Sequence, residues 1–224
     1  MSTSTAQSRA IPLTLLGVVL LALALSAIGP KDTFTWLLEV APVLIGVPVV
    51  LLTHKRFPLT PLLMLLLAVH AVILIVGGHY TYAEVPAGDW LRDALSLSRN
   101  PFDRLGHLAQ GFIPAILARE LLVRRSPLGA TSGAYAPAAN ARRWLFLCVT
   151  SICLAFSAFY ELLEWWTALA SGEAAEAFLG TQGDVWDTQW DMFCALIGAI
   201  TAQLLLSRVH DRQLARLSRP DPSP

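Results

Sequence analysis

Charge is what this chain has least of. Asp, Glu, Lys and Arg make up 14% of its 224 residues, where a water-soluble domain carries about 25%. The deficit excludes a chain bathed in water along its whole length. The charges also cancel, 16 basic against 16 acidic, so no basic field invites nucleic acid, which is excluded as a partner. Cysteine is scarce. Cys148, Cys153 and Cys194 all lie inside apolar runs, with neither zinc-site nor disulfide spacing. They read as small packing residues. No Ser or Cys stands in a setting that marks a nucleophile, so a covalent mechanism is not expected. No internal repeat stands out.

What the chain has instead is apolar length: 55% of it is hydrophobic. Six runs, near 11–28, 35–52, 59–77, 105–122, 144–166 and 188–206, approach or reach the length that spans a bilayer at ~1.5 Å rise per residue. The expected fold class is therefore all-α, an integral membrane protein with a bundle of six transmembrane helices. A cleaved signal peptide is the rival reading of the first run, because ALALSA resembles a cleavage site. That run exceeds the ~7–15 residues of a signal core, however, which favours a retained helix. Pro42 and Pro48 interrupt the second run, as transmembrane helices tolerate. The fourth is the weakest and carries His107, Gln110 and Gly111. Residues 1–10 read as a disordered N-terminus, 11–206 as the membrane domain, 126–140 as a flexible loop within it, and 207–224 as a basic cytoplasmic tail.

Lys and Arg orient the bundle. With the N-terminus in the cytoplasm, only Lys31, Arg92, Arg99 and Arg104 of the 16 fall outside. Both termini are then cytoplasmic. Glu84, Asp89, Asp93, Asp103, Glu173, Glu176, Asp184 and Asp187 fall outside, as do most of the tryptophans, in the manner of an aromatic belt.

The topology brings polar residues of several segments to one depth near the outer leaflet. Asp103 and His107 are spaced i, i+4 at the start of the fourth helix. Glu161 and Glu164 are spaced i, i+3 near the end of the fifth. Asp184, Asp187 and Asp191 precede or open the sixth, whose face continues through Ala195, Gly198 and Ala202. Carboxylates joined by imidazole suit a divalent cation: Mn, Fe, Zn, or Mg with waters. The expected metal ligands are Asp103, His107, Glu161, Glu164, Asp184, Asp187 and Asp191. Asp103, His107, Glu161 and Asp191 double as candidate catalytic acid/base groups, and Arg104 is a candidate anion-binding residue. The competing reading makes the cluster an ion-paired clamp, with Arg104 as partner to Asp191 and with Asp184 and Asp187 as helix caps. His70 reads as a packed histidine, His79 as an interfacial one, and Arg208, Arg212 and Arg216 as a stripe facing anionic lipid.

The blocks NPFDRLGH, FYELLEW and GTQGDVWDTQWDM resemble, in this order, the YjdF family of bacterial inner-membrane proteins, a domain of unknown function. The likeness spans roughly residues 35–206. The order Asp-x-x-x-His, then Glu, then Asp before a small-residue helix is also similar to VanZ-like membrane proteins. Together these resemblances imply an inner-membrane location and a role in the cell envelope, but no established reaction. Three functions stay open. One is a metal-dependent enzyme acting on a lipid-linked or envelope substrate. The second is a structural or assembly protein with an interhelical clamp. The third is an ion-coupled transporter, disfavoured because helices 1–3 show no polar group toward the cytoplasm beyond His70.

Overall fold

The computed structural model describes residues 12–129, 139–171 and 179–217, and all regular structure among them is helical. Seven α-helices follow one another: α1 (Leu13–Ser26), α2 (Thr33–Thr53), α3 (Pro61–Tyr80), α4 (Pro86–Leu95), α5 (Phe102–Arg125), α6 (Ala139–Ser171) and α7 (Asp187–Leu217). Local chemistry sets several of the boundaries. Asp32 caps α2 by accepting from the Thr35 amide at 2.6 Å. Thr60 caps α3, and Pro61 occupies its first turn, where a missing N–H costs nothing. The turn of 3₁₀ helix at Tyr82–Glu84 and the short amphipathic α4 are features the apolar pattern did not announce.

Among the described residues, four helices are long and apolar enough to cross a membrane: α2, α3, α6 and α7. α1 is apolar but has 14 residues, a reach of about 21 Å at ~1.5 Å per residue. α5 has the length, at 24 residues, but not the hydropathy, because Asp103, His107, Arg119 and Glu120 sit along it. These four are buried. α5 packs against α3, α6 and α7, so its polar groups face protein. The outward surfaces of α2, α3, α6 and α7 carry exposed Ile45, Leu65, Ile152 and Leu204 instead.

Two apolar cores hold the bundle. Val19, Val40, Val43, Ala71 and Ile75 join α1, α2 and α3. Leu63, Ile116, Val149, Cys153, Ala199 and Ala202 join α3, α5, α6 and α7. Lipid is as apolar as leucine, so helix association in a bilayer depends on close packing and polar contacts rather than on escape from water. The α5–α7 pair shows this most clearly. A Cβ on Gly111 would collide with the Ala195 carbonyl, and one on Gly198 with the Leu108 carbonyl. The two backbones touch where side chains would separate them, and this contact sets the depth at which Asp103 and His107 meet Asp187 and Asp191. α7 runs helically to Leu217, through much of the stretch read as a basic tail. The loop read at 126–140 falls mainly outside the described residues, as do Glu173 and Glu176.

Candidate functional site

Three helices build the cluster. Asp103 and His107 project one turn apart from the start of α5. Glu161 and Glu164 come from α6, and Asp187 and Asp191 from the first turns of α7. Asp103, His107, Glu161, Glu164, Asp187 and Asp191 are all between 3% and 9% exposed. His107 is the centre. Its Nε2 lies 3.5 Å from Asp103 Oδ1 and 4.0 Å from Asp191 Oδ2, and its Nδ1 lies 3.8 Å from Glu161 Oε1. Two sets of potential ligand atoms lie within 4.8 Å of one another: Asp103, His107 and Asp191, and His107, Glu161 and Glu164. These spacings exceed hydrogen bonds. They approach the roughly 3–3.6 Å between two ligand atoms that share one ion at ~2.0–2.2 Å. Asp191 Oδ1 and Glu161 Oε1 are buried without a hydrogen-bond partner. A buried carboxylate oxygen without a donor is costly, and this cluster holds two.

Asp184 and Asp187 are placed differently. Both face arginine. Arg99, just before α5 and itself buried, donates to Asp187, to Asp103 at 3.0 Å and to the Gly180 carbonyl at 3.1 Å, and its Nη1 lies 3.7 Å from Asp184. Burial opposes the Arg99 charge, but the hydrogen bond to Asp187 and the surrounding carboxylates outweigh it and hold its pKa above the ordinary value. Arg104 donates to Asp184 at 2.6 Å and stacks over Trp190 at 5.1 Å. The clamp reading paired Arg104 with Asp191. The structure gives Arg104 to Asp184 instead, because Arg104 points toward the loop before α7 while Asp191 lies one turn deeper.

The glycines of GTQGD shape that loop. Gly180 at φ +59° and Gly183 at φ +81° adopt left-handed conformations that glycine takes without strain. They turn the Gly180 carbonyl toward Arg99 and let Gln182 exchange two hydrogen bonds with the Asn100 backbone, at 2.9 and 3.1 Å. Asn100 in turn donates to Val85 O and Asp89, both at 3.0 Å. The NPFD and GTQGD blocks are thus two sides of one hydrogen-bonded joint.

Sequence reasoning missed Glu39. Glu39 on α2 is 5% exposed and accepts from the Tyr160 hydroxyl at 3.3 Å; it lies at the depth of the cluster, so the expectation of no polar group toward the cytoplasm beyond His70 does not bear on it. A cavity of about 60 Å³ joins Glu39, Tyr160 and His70 to Asp103, His107 and Glu164, room for a few waters by the usual ~10–15 Å³ each. The signal was present: a lone acid inside an apolar span is a site candidate by default. His79 lies apart, with its Nδ1 2.9 Å from Ser26 O.

Charged groups gathered on the inner faces of helices whose outer faces are Leu, Ile and Val define a polytopic membrane protein with a polar centre. The chain belongs to the family described as predicted membrane protein DUF2238, whose model matches residues 11–212. The inner membrane protein YjdF of Escherichia coli (strain K12) is 53% identical over 196 residues, 88% of each chain. The protein is accordingly a multi-pass protein of the bacterial inner membrane. No solved structure matches it.

Proposed function

We propose that Asp103, His107, Glu161, Glu164 and Asp191 form a divalent-cation site, and that the protein is a metal-dependent membrane enzyme acting on a lipid-linked or envelope substrate. The observation that carries this reading is the charge imbalance of a buried cluster. Among the described residues, Asp103, Glu161, Glu164, Asp187, Asp191 and Glu39 share one buried permanent cation, Arg99, and two of their oxygens have no donor. Hard oxygen donors with one imidazole select Mn, Fe, Zn or Mg. A cation held there would activate water and neutralise phosphate charge.

The chain's own residues supply the rest. Gln110 Oε1, 2.9 Å from His107 Nδ1, accepts from that nitrogen and leaves Nε2 to face Asp103 and Asp191, as an outer partner of a ligating histidine does. Glu164 and Glu39 border the cavity, placed to take or give a proton, and Tyr160 orients Glu39. Arg104, half-buried at the rim, is the contact proposed for a substrate phosphate. Six membrane crossings with both termini cytoplasmic fit this assignment, with α1 and the protein-enclosed α5 as the fifth and sixth. The site then opens toward the periplasmic side, and the VanZ-like order of the motifs supports an envelope substrate.

A clamp role is favoured for one part alone. Arg99, Asp187 and Asp184 are mutually paired and tie the loop before α7 to the start of α5. Elemental analysis of the purified protein tests the main reading. One divalent metal per chain, removed by chelator and restored by dialysis, is the expected result. Protein that retains and regains no metal in any of the four cases overturns it.

A further inference from the structure

The opposite end of the bundle holds a second polar assembly. Glu120 and His210 are wholly buried and meet at 3.0 Å. Arg119 spans from His210 Nδ1, at 2.9 Å, to Asp211, at 2.6 Å. Beside it lies a cavity of about 320 Å³ between α5, α6 and α7, bounded by Arg119, Arg142, Phe146, Leu204, Ser207 and Arg208. That volume lies in the ~300–1,000 Å³ range of small-ligand sites. Asp191 and Arg208 are separated along α7 by about 25 Å at ~1.5 Å per residue, so the cavity lies near the far boundary of an apolar core about 30 Å thick.

We infer that this cavity binds a phosphate group, presented by the headgroup of an acidic phospholipid. Three guanidinium groups line it against one carboxylate, Asp211. Arg119 is 4% exposed and is held in place by His210 and Asp211, so its charge is fixed without cost at the moment of binding. Arg142 and Arg208 are exposed and come from two different helices, so one anion between them cross-links α6 and α7. The apolar side identifies the source. Leu204, 68% exposed, continues from the cavity mouth along the outward face of α7, where an acyl chain would lie and a free phosphate would have nothing to contact. Basic pockets between transmembrane helices take acidic headgroups in this way.

The test uses the full chain in a neutral detergent. Retention of phosphatidylglycerol, of phosphatidylcholine with the same acyl chains, and of inorganic phosphate is measured by native mass spectrometry and thermal shift. Phosphatidylglycerol should bind and raise the melting temperature, and phosphatidylcholine should not. Arg142→Gln with Arg208→Gln should weaken phosphatidylglycerol binding by roughly 25-fold, about fivefold per arginine. Arg212→Gln with Arg216→Gln, exposed on the same helix but outside the cavity, should leave it within about twofold. Equal loss in both pairs reduces the effect to surface charge and overturns the site. Inorganic phosphate binding as tightly as the lipid overturns the lipid source, and equal retention of both lipids overturns the anion chemistry.

Discussion

His107 Nδ1 and Gln110 Oε1 lie 2.9 Å apart on successive turns of α5. With the amide oxygen accepting, the ring hydrogen sits on Nδ1 and the lone pair on Nε2, which points at Asp103 and Asp191. Gln110 therefore fixes Nε2 as the ring nitrogen that His107 offers to the proposed cation. Gln110→Leu should lower metal affinity by about 10–100-fold, the usual effect of losing such a partner, with the fold intact. Gln110→Glu keeps the acceptor oxygen and should recover most of the affinity. Titration of a divalent cation into metal-free protein checks both. Unchanged affinity in Gln110→Leu would show that the tautomer is not set there.

Arg99 makes a different prediction, because it acts on the fold. It is the shared donor for Asp103 and Asp187 and touches the Gly180 carbonyl. Arg99→Gln leaves two buried carboxylates without their cation, a change that destabilises by about 3–5 kcal/mol when a buried pair is broken. Melting in detergent should fall sharply. Adding Asp187→Asn should restore part of the loss, because one of the stranded charges goes with it. Absence of rescue would mean that Arg99 stabilises through packing alone.

How much of this could be read from residues alone differs by element. The polar residues at the outer ends of α5 and α7 were legible because Asp103, His107 and Asp191 stand at the edges of helical runs, and a charge at such a place is a strong signal. Their grouping followed from orienting the runs. The partition of the carboxylates was not legible. Whether Asp187 or Asp191 takes the arginine depends on the conformation of Gly180 and Gly183, which places Arg99 beside one and a turn away from the other. Glu39 was less legible because it is the lone charged residue of its apolar run, with no second charge at helical spacing to mark a shared face. Glu120 and His210 escaped for another reason. They lie 90 residues apart in sequence, at an end read as an arginine stripe facing anionic lipid, and the close α5–α7 contact brings them together.

That distant pair separates scaffold from site. Glu120 is fully buried and accepts from Thr60, His210 and Arg124 at 2.8, 3.0 and 2.7 Å. Glu120→Ala strands those partners and should cost about 3–5 kcal/mol, seen as a lower melting temperature. Metal content per folded chain should not change, since this network and His107 occupy opposite ends of α5. Loss of metal in folded Glu120→Ala protein would mean that the two ends are coupled.

Asp191 decides between ligand and scaffold most directly. It is 3% exposed, has one oxygen without a donor, and its nearest basic group is His107 at 4.0 Å. Asp191→Asn removes the charge while keeping the shape. The decisive measurement is metal stoichiometry of wild-type and Asp191→Asn protein by elemental analysis, with melting temperature recorded on the same metal-free samples. About one divalent ion per wild-type chain is expected, with a loss of at least tenfold in the variant. The metal-free melting temperature of the variant should be unchanged or higher, because carboxylate crowding is relieved. A variant that keeps its metal, or one that melts far below wild type in the metal-free state, contradicts it.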